Sequence, residues 1–148
     1  MVRSALSLLL VAGLVAAAPV RKAPADAASE LEGKWVVQEA TLFGGIDQAQ
    51  FKDLVIVISW DRYSARTKPA NEGRIKVDDK ARPKRLEFEP QTIDGKPVTD
   101  RKKGRWVYEL DGDELRMASF PDGEGGVPEK IDPADPKQMI WKAKRAKD

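Results

Sequence analysis

The chain contains neither cysteine nor histidine. Without imidazole or thiolate there can be no Ser-His-Asp or Cys-His nucleophile system, no zinc-type metal site, no haem held by His or Cys, and no dithiol redox chemistry. The missing cysteine also removes disulfides and a lipid-modified N-terminus of the lipoprotein kind. Charge of one sign is lacking as well: 26 Lys plus Arg stand against 24 Asp plus Glu, a formal +2 over 148 residues. A nucleic-acid binder usually carries a strong basic surplus, so no nucleic-acid partner is expected. No cofactor and no metal is implied by any motif.

The one long apolar run stands at the N-terminus, from Ala5 to Ala18, after Met1-Val2-Arg3. A basic start, an apolar stretch and small residues are the layout of a secretory signal peptide. At about 14 residues the run is shorter than the roughly 20 a membrane span needs. Val15-Ala16-Ala17 suits cleavage before Ala18, and a later cut near Ala27 is an alternative. We therefore expect a signal peptide over 1–18, a flexible Ala- and Pro-rich lead-in over 19–29, and one folded domain over 30–148. Such a protein is exported, periplasmic or secreted, with no stable membrane insertion after the signal is removed. Its fold must rest on its core alone.

From Glu30 onward the apolar pattern has period two, punctuated by turn residues every eight to twelve positions. Eight strands are predicted. They run over Trp35 to Leu42, Leu54 to Trp60 and Tyr63 to Thr67, around Ile75 and Val77, around Leu86 and Phe88, from Arg105 to Leu110, around Leu115 and Met117, and from Met139 to Arg145. Lys68 to Gly73 reads as a turn, Asp111-Gly112-Asp113 as a hairpin, and Asp47 to Asp53 as the best helical candidate. No segment carries a convincing amphipathic helix. The expected fold is all-β, an eight-stranded antiparallel up-and-down barrel, because closure removes exposed edges; a β-sandwich is the alternative.

The segments Leu31-Glu-Gly-Lys-Trp35, Ser59-Trp-Asp-Arg-Tyr63, Asp79-Lys-Ala-Arg-Pro-Lys-Arg-Leu86, Tyr108-Glu-Leu-Asp-Gly-Asp-Glu-Leu115 and Trp141-Lys-Ala-Lys-Arg145 occur in order. Together they resemble the lipocalin-like domain of unknown function abundant in exported planctomycete proteins. The resemblance covers Leu31 to Lys147 and implies the barrel, with no activity to transfer. Where that family has Gly-Ile-Tyr-Glu-Leu, this chain has Trp106-Val-Tyr-Glu-Leu110, which implies a narrower pocket at that point. Gly33-Lys34-Trp35 is also similar to the Gly-x-Trp signature of lipocalins. By that likeness Gly33, Trp35 and Arg145 form a structural plug, with a cation-π contact worth about 0.5 to 2 kcal/mol.

Paired carboxylates (Asp78 with Asp79; Asp111 with Asp113 and Glu114; Asp132 with Asp135) fall at turns, where Asp serves backbone hydrogen bonding and not catalysis. Trp35, Trp60, Phe88, Trp106, Tyr108 and Trp141 are all predicted to point inward, where they either fill the barrel or line a cavity for one small hydrophobic molecule. Charge is segregated along the chain: Arg62 to Arg85 holds nine basic and three acidic residues, Glu109 to Asp135 nine acidic and two basic. The expectation is a non-catalytic exported binding protein for a small hydrophobic ligand. The alternative is a structural or interaction module with a filled barrel, acting through its charged outer surface on another exported protein or a surface polymer.

Overall fold

Alternation gives every strand one apolar face, and a sheet that curls until its first and last strands meet hides that face without leaving edges. The chain takes this route. The computed structural model describes residues 28–42, 44–67, 69–100, 102–121 and 126–147. The expected signal peptide and lead-in positions 19–27 lie outside the described residues.

In chain order the elements are a helical turn α1 (Ala28–Leu31), β1 (Gly33–Leu42), β2 (Ile46–Asp47), a 3-10 turn (Ala49–Phe51), β3 (Val55–Ser59), β4 (Arg62–Arg66), β5 (Asn71–Asp78), β6 (Lys84–Ile93), β7 (Lys96–Pro97), β8 (Gly104–Asp111), β9 (Glu114–Ser119) and β10 (Met139–Arg145). Eight of the strands, all but the two-residue β2 and β7, pair antiparallel with their chain neighbours, and β10 pairs back onto β1. The fold is thus all-β, a closed eight-stranded up-and-down barrel, and closure eliminates the sandwich. β2 and β7 lie outside the barrel as short additions to β1 and β6.

Each predicted strand has its counterpart. The boundaries differ where tertiary pairing intervenes: β5 begins at Asn71, inside the stretch read as a turn, because β6 runs on to Ile93 and supplies partners for Asn71 and Glu72. A bulge between Glu72 and Gly73 and another between Val37 and Glu39 bend the sheet toward closure. The bulge in β1 also explains why Gln38 and Glu39 are both exposed while Val37 and Ala40 are both buried.

One end of the barrel, the floor, carries α1 and the β3–β4, β5–β6 and β8–β9 connections; the other, the mouth, carries the β4–β5 connection and the long β1–β3, β6–β8 and β9–β10 ones. The core holds Trp35, Ile56, Ile58, Leu86, Tyr108 and Met117, among others. A second, smaller cluster lies outside the wall. Val107, Ala118 and Ile140 sit at outward positions of β8, β9 and β10, yet they are buried, with Val127 and Ile131 of the β9–β10 connection packed against them. Gln138 organises this strap: its Oε1 accepts the Asp132 N–H at 3.0 Å, and its Nε2 donates to Lys130 O at 3.0 Å and Asp135 Oδ2 at 3.1 Å.

One inward assignment is corrected. Trp60 is 54% exposed, because β3 ends at Ser59 and Trp60 occupies the turn to β4 with φ +58°. Period-two counting holds only while the chain stays extended.

Candidate functional site

Three regions contain the residues singled out from sequence: floor, interior and mouth. At the floor Trp35 is fully buried, its indole N–H donating to Leu31 O at 2.8 Å. Arg145, its cross-strand partner in the β1–β10 ladder, lies 4.2 Å from the Trp35 ring centre. The guanidinium also donates to the carbonyls of Glu32 and of Glu30, the latter at 2.9 Å, and pairs with Asp113 at 3.3 Å. Gly33 makes room for this arrangement. Its φ is +127°, and a Cβ there would stand 2.9 Å from Arg145 Nη1, so a side chain would meet both strain and a clash.

Next to this plug, Glu30 accepts a hydrogen bond from the Tyr108 hydroxyl at 2.7 Å and pairs with Lys84 at 2.8 Å. Burial raises the Glu30 pKa, but hydrogen bonds from Lys84 and Tyr108 and the Lys84 charge together hold it below the usual glutamate value. Burial pushes the Tyr108 hydroxyl far above its usual value, with the hydrogen bond to Glu30 and the negative charge of Glu30 adding to the shift.

The linkage signs follow. A depressed carboxyl stabilises the fold above its unfolded pKa, about 4.3, and loses that contribution as pH falls through the folded value; a raised phenol contributes below about 10 and loses it as pH rises. Thermal unfolding followed against pH is therefore expected to show a plateau that falls at both ends. Glu30→Gln should flatten the acid limb. Parallel profiles for the two proteins at both ends would show that this network does not link α1 to the barrel.

The interior is occupied by a chain of rings. Phe51 and Trp141 have centroids 5.3 Å apart, Trp141 and Trp106 5.0 Å, Trp106 and Phe88 6.5 Å, and Phe88 and Tyr63 4.7 Å. Tilted and edge-to-face contacts of this kind add to simple area burial. Of the six aromatic candidates, Trp106, Phe88 and Trp141 join this chain, Trp35 and Tyr108 belong to the floor, and Trp60 is outside. Phe51 and Tyr63 are ring members that sequence reasoning missed. Phe51 lies in a 3-10 turn where no alternation marks it, and Tyr63 opens a strand whose inward face is otherwise small. Trp141 Nε1 is buried with no hydrogen-bond partner among the described residues.

Above the rings, at the mouth, a cleft of about 420 Å³ opens between the β6–β8 and β9–β10 connections, its walls including Trp106, Phe120, Met139, Lys102, Lys103 and Arg105. Lys102, Lys103 and Arg105, adjacent in sequence, thus supply one edge of it, with Gly104 and Arg105 already in β8. Lys103 pairs with Glu87 at 3.0 Å and Glu89 at 3.5 Å, and Arg105 with Glu87 at 3.4 Å. The Lys103 hydrogen bond is the chief cause that holds the Glu87 carboxyl below its usual value, against the opposing effect of burial. Lys102 has no carboxylate within ion-pair distance among the described residues. Of the six candidate rings, Trp106 lines this cleft. A further cleft of about 390 Å³ lies along the strap, next to Gln138, Val127 and Asp132.

Of the turn carboxylates, Asp113 pairs with Arg145, and Asp78, Asp132 and Asp135 serve the backbone of their own turns. Asp78 accepts the N–H groups of Lys80 and Ala81, Asp132 that of Ala134, and Asp135 that of Lys137. Among the described residues no group of three or more acidic side chains is placed to hold a metal ion. Comparison with protein families, with curated proteins and with solved structures finds no match for this chain.

Proposed function

We propose that this is a non-catalytic, exported binding protein of lipocalin-like type that takes a small hydrophobic molecule at the barrel mouth, above an interior filled by its own rings. The observation that carries this reading is the 420 Å³ cleft with Trp106, Phe120 and Met139 on its apolar side and Lys102, Lys103 and Arg105 on its edge. Its volume lies in the usual range for small-molecule sites, which join apolar walls to a few fixed polar groups. The edge favours an amphiphile whose negative end meets Lys102, the cation not already shared with Glu87 or Glu89.

Titration with decanoate, followed by tryptophan fluorescence, tests this. Saturable binding with a Kd in the range of roughly 1 µM to 1 mM is expected, with decanol weaker than decanoate and Lys102→Ser bringing the two closer together. Absence of a saturable change for both ligands would overturn the reading, and so would equal binding to a Met139→Glu variant.

A further inference from the structure

We propose that the outer wall formed by β1, β3, β4 and β5 docks onto an anionic lipid surface. In the ladder, Val36 of β1 stands opposite Val55 of β3, and Val57 lies two residues further along the same outward face. All three valines are half-buried rather than covered. Cations frame them in register: Lys144 is opposite Val36, Arg66 opposite Val55, and Lys34 opposite Val57.

On the neighbouring pair of strands Arg62 faces Arg74 directly, and Lys76 lies two residues beyond Arg74 on the same face. Like charges directly opposite each other across a ladder destabilise a sheet. Among the described residues, none of Lys34, Arg62, Arg66, Arg74, Lys76 and Lys144 has a carboxylate within ion-pair distance. The acidic groups near this wall are Glu72, opposite Ser64; Asp61, in the β3–β4 turn; Glu32, whose carboxylate accepts the Trp60 N–H at 3.2 Å; Asp78, at the end of β5; Glu114, opposite Lys144; and, on β6, Glu89 opposite Arg74 and Glu87 opposite Lys76. Glu87 and Glu89 are drawn to Lys103 and Arg105 on the β8 side, which leaves the wall's own cations without an ion-pair partner among the described residues.

Trp60 supplies the second, independent observation. It is the first residue of a two-residue hairpin turn, with φ +58° and its side chain 54% exposed. Glycine is the usual occupant of such a position, and a bulky residue held there points to a use beyond folding. An exposed tryptophan beside an apolar strip framed by Lys and Arg suits a membrane interface: the ring sits at headgroup depth, the valines meet acyl chains, and the cations meet lipid phosphates. A second copy of the chain would bring this basic wall against itself. A soluble acidic polymer would leave the three valines without a partner. Among the described residues no helix is long and apolar enough to cross a membrane, so attachment of this kind is peripheral.

The test is co-sedimentation of the protein, expressed from its full sequence, with phosphatidylcholine vesicles and with vesicles containing about one-third phosphatidylglycerol. Tighter binding to the anionic vesicles, weakening with added salt, is expected. Arg62→Ser should weaken it roughly fivefold without lowering the melting temperature, since its repulsion with Arg74 is removed. Trp60→Gly relieves the strained turn, so it should fold at least as well while losing affinity and losing quenching by brominated lipid. Lys130→Ser, a cation on the strap, should bind as the parent does. Equal binding to neutral and anionic vesicles would overturn the proposal, as would equal loss in Lys130→Ser. Binding to polygalacturonate without binding to vesicles would assign the wall to a polymer and overturn it too.

Discussion

Trp35→Ala is expected to destabilise the fold by about 3 to 5 kcal/mol, which in a domain of this size lowers the melting temperature by roughly 10 °C or more. The ring is fully buried, and it is the surface on which the floor is assembled. Its N–H holds Leu31 O, and Arg145 rests on its face. From that position Arg145 reaches the carbonyls of Glu30 and Glu32, which anchors α1 under the barrel. Alanine would leave a cavity, remove the donor for Leu31 and deprive Arg145 of its support. Trp35→Phe keeps most of the apolar disc and loses the donor, so its cost should be smaller, about 1 to 3 kcal/mol. Circular dichroism melts of the two variants separate the contributions. A melting temperature that hardly moves in Trp35→Ala would show that the plug closes nothing.

The second large effect is expected from Gly73→Ala, a substitution that adds one methyl group. A Cβ at Gly73 would lie 2.0 Å from Glu89 O and 2.9 Å from both Glu89 C and Pro90 Cα. These are backbone atoms of the adjacent strand, so no rotamer change relieves the overlap. β5 and β6 would have to separate at the bulge, where Gly73 pairs with Pro90 on one side and Tyr63 on the other. Losing that register also disturbs Tyr63, the end of the ring chain, through its contact with Phe88. Overpacking typically costs about 1 to 3 kcal/mol when side chains can adjust, and here the rigid partner puts the expected loss at or above about 3 kcal/mol. Ala70→Gly, in the loop before β5, serves as the comparison for backbone effects nearby. If Gly73→Ala melts within a few degrees of the parent, the close approach of β5 and β6 is not maintained in solution.

These two positions illustrate how differently sequence and structure inform. Trp35 announces itself: a tryptophan after Gly33 at the start of a period-two segment, with Arg145 within the chain's last basic stretch. Gly73 does not. Standing after Lys68-Pro69-Ala70-Asn71-Glu72, it has the composition of a turn, and only its pairing with Pro90 and Tyr63 shows it to be the point where two strands touch. Trp60 fails in the opposite sense, since alternation along Ile56 and Ile58 carries past the end of the strand into a turn whose dihedral angle points the ring outward. The strap was invisible for a related reason. Val107, Ala118 and Ile140 are apolar at positions that alternation marks as wet, and that discrepancy was the available signal that something covers them.

The mouth cleft was equally hidden. Lys102, Lys103 and Arg105 are adjacent in sequence, but Phe120 and Met139 reach them only because β8, β9 and β10 are neighbours in the barrel. By itself, the amino-acid sequence determined which chemistries are impossible, through the absence of His and Cys, and where strands form, through a local period of two. Both are properties of single residues or short windows. Tertiary structure decided that β10 closes onto β1 across more than a hundred residues, that rings from five separate segments meet inside, and that cations with no ion pair among the described residues share one wall. Those outcomes depend on which strands become neighbours, and pairing between distant segments leaves no trace in the spacing within either one.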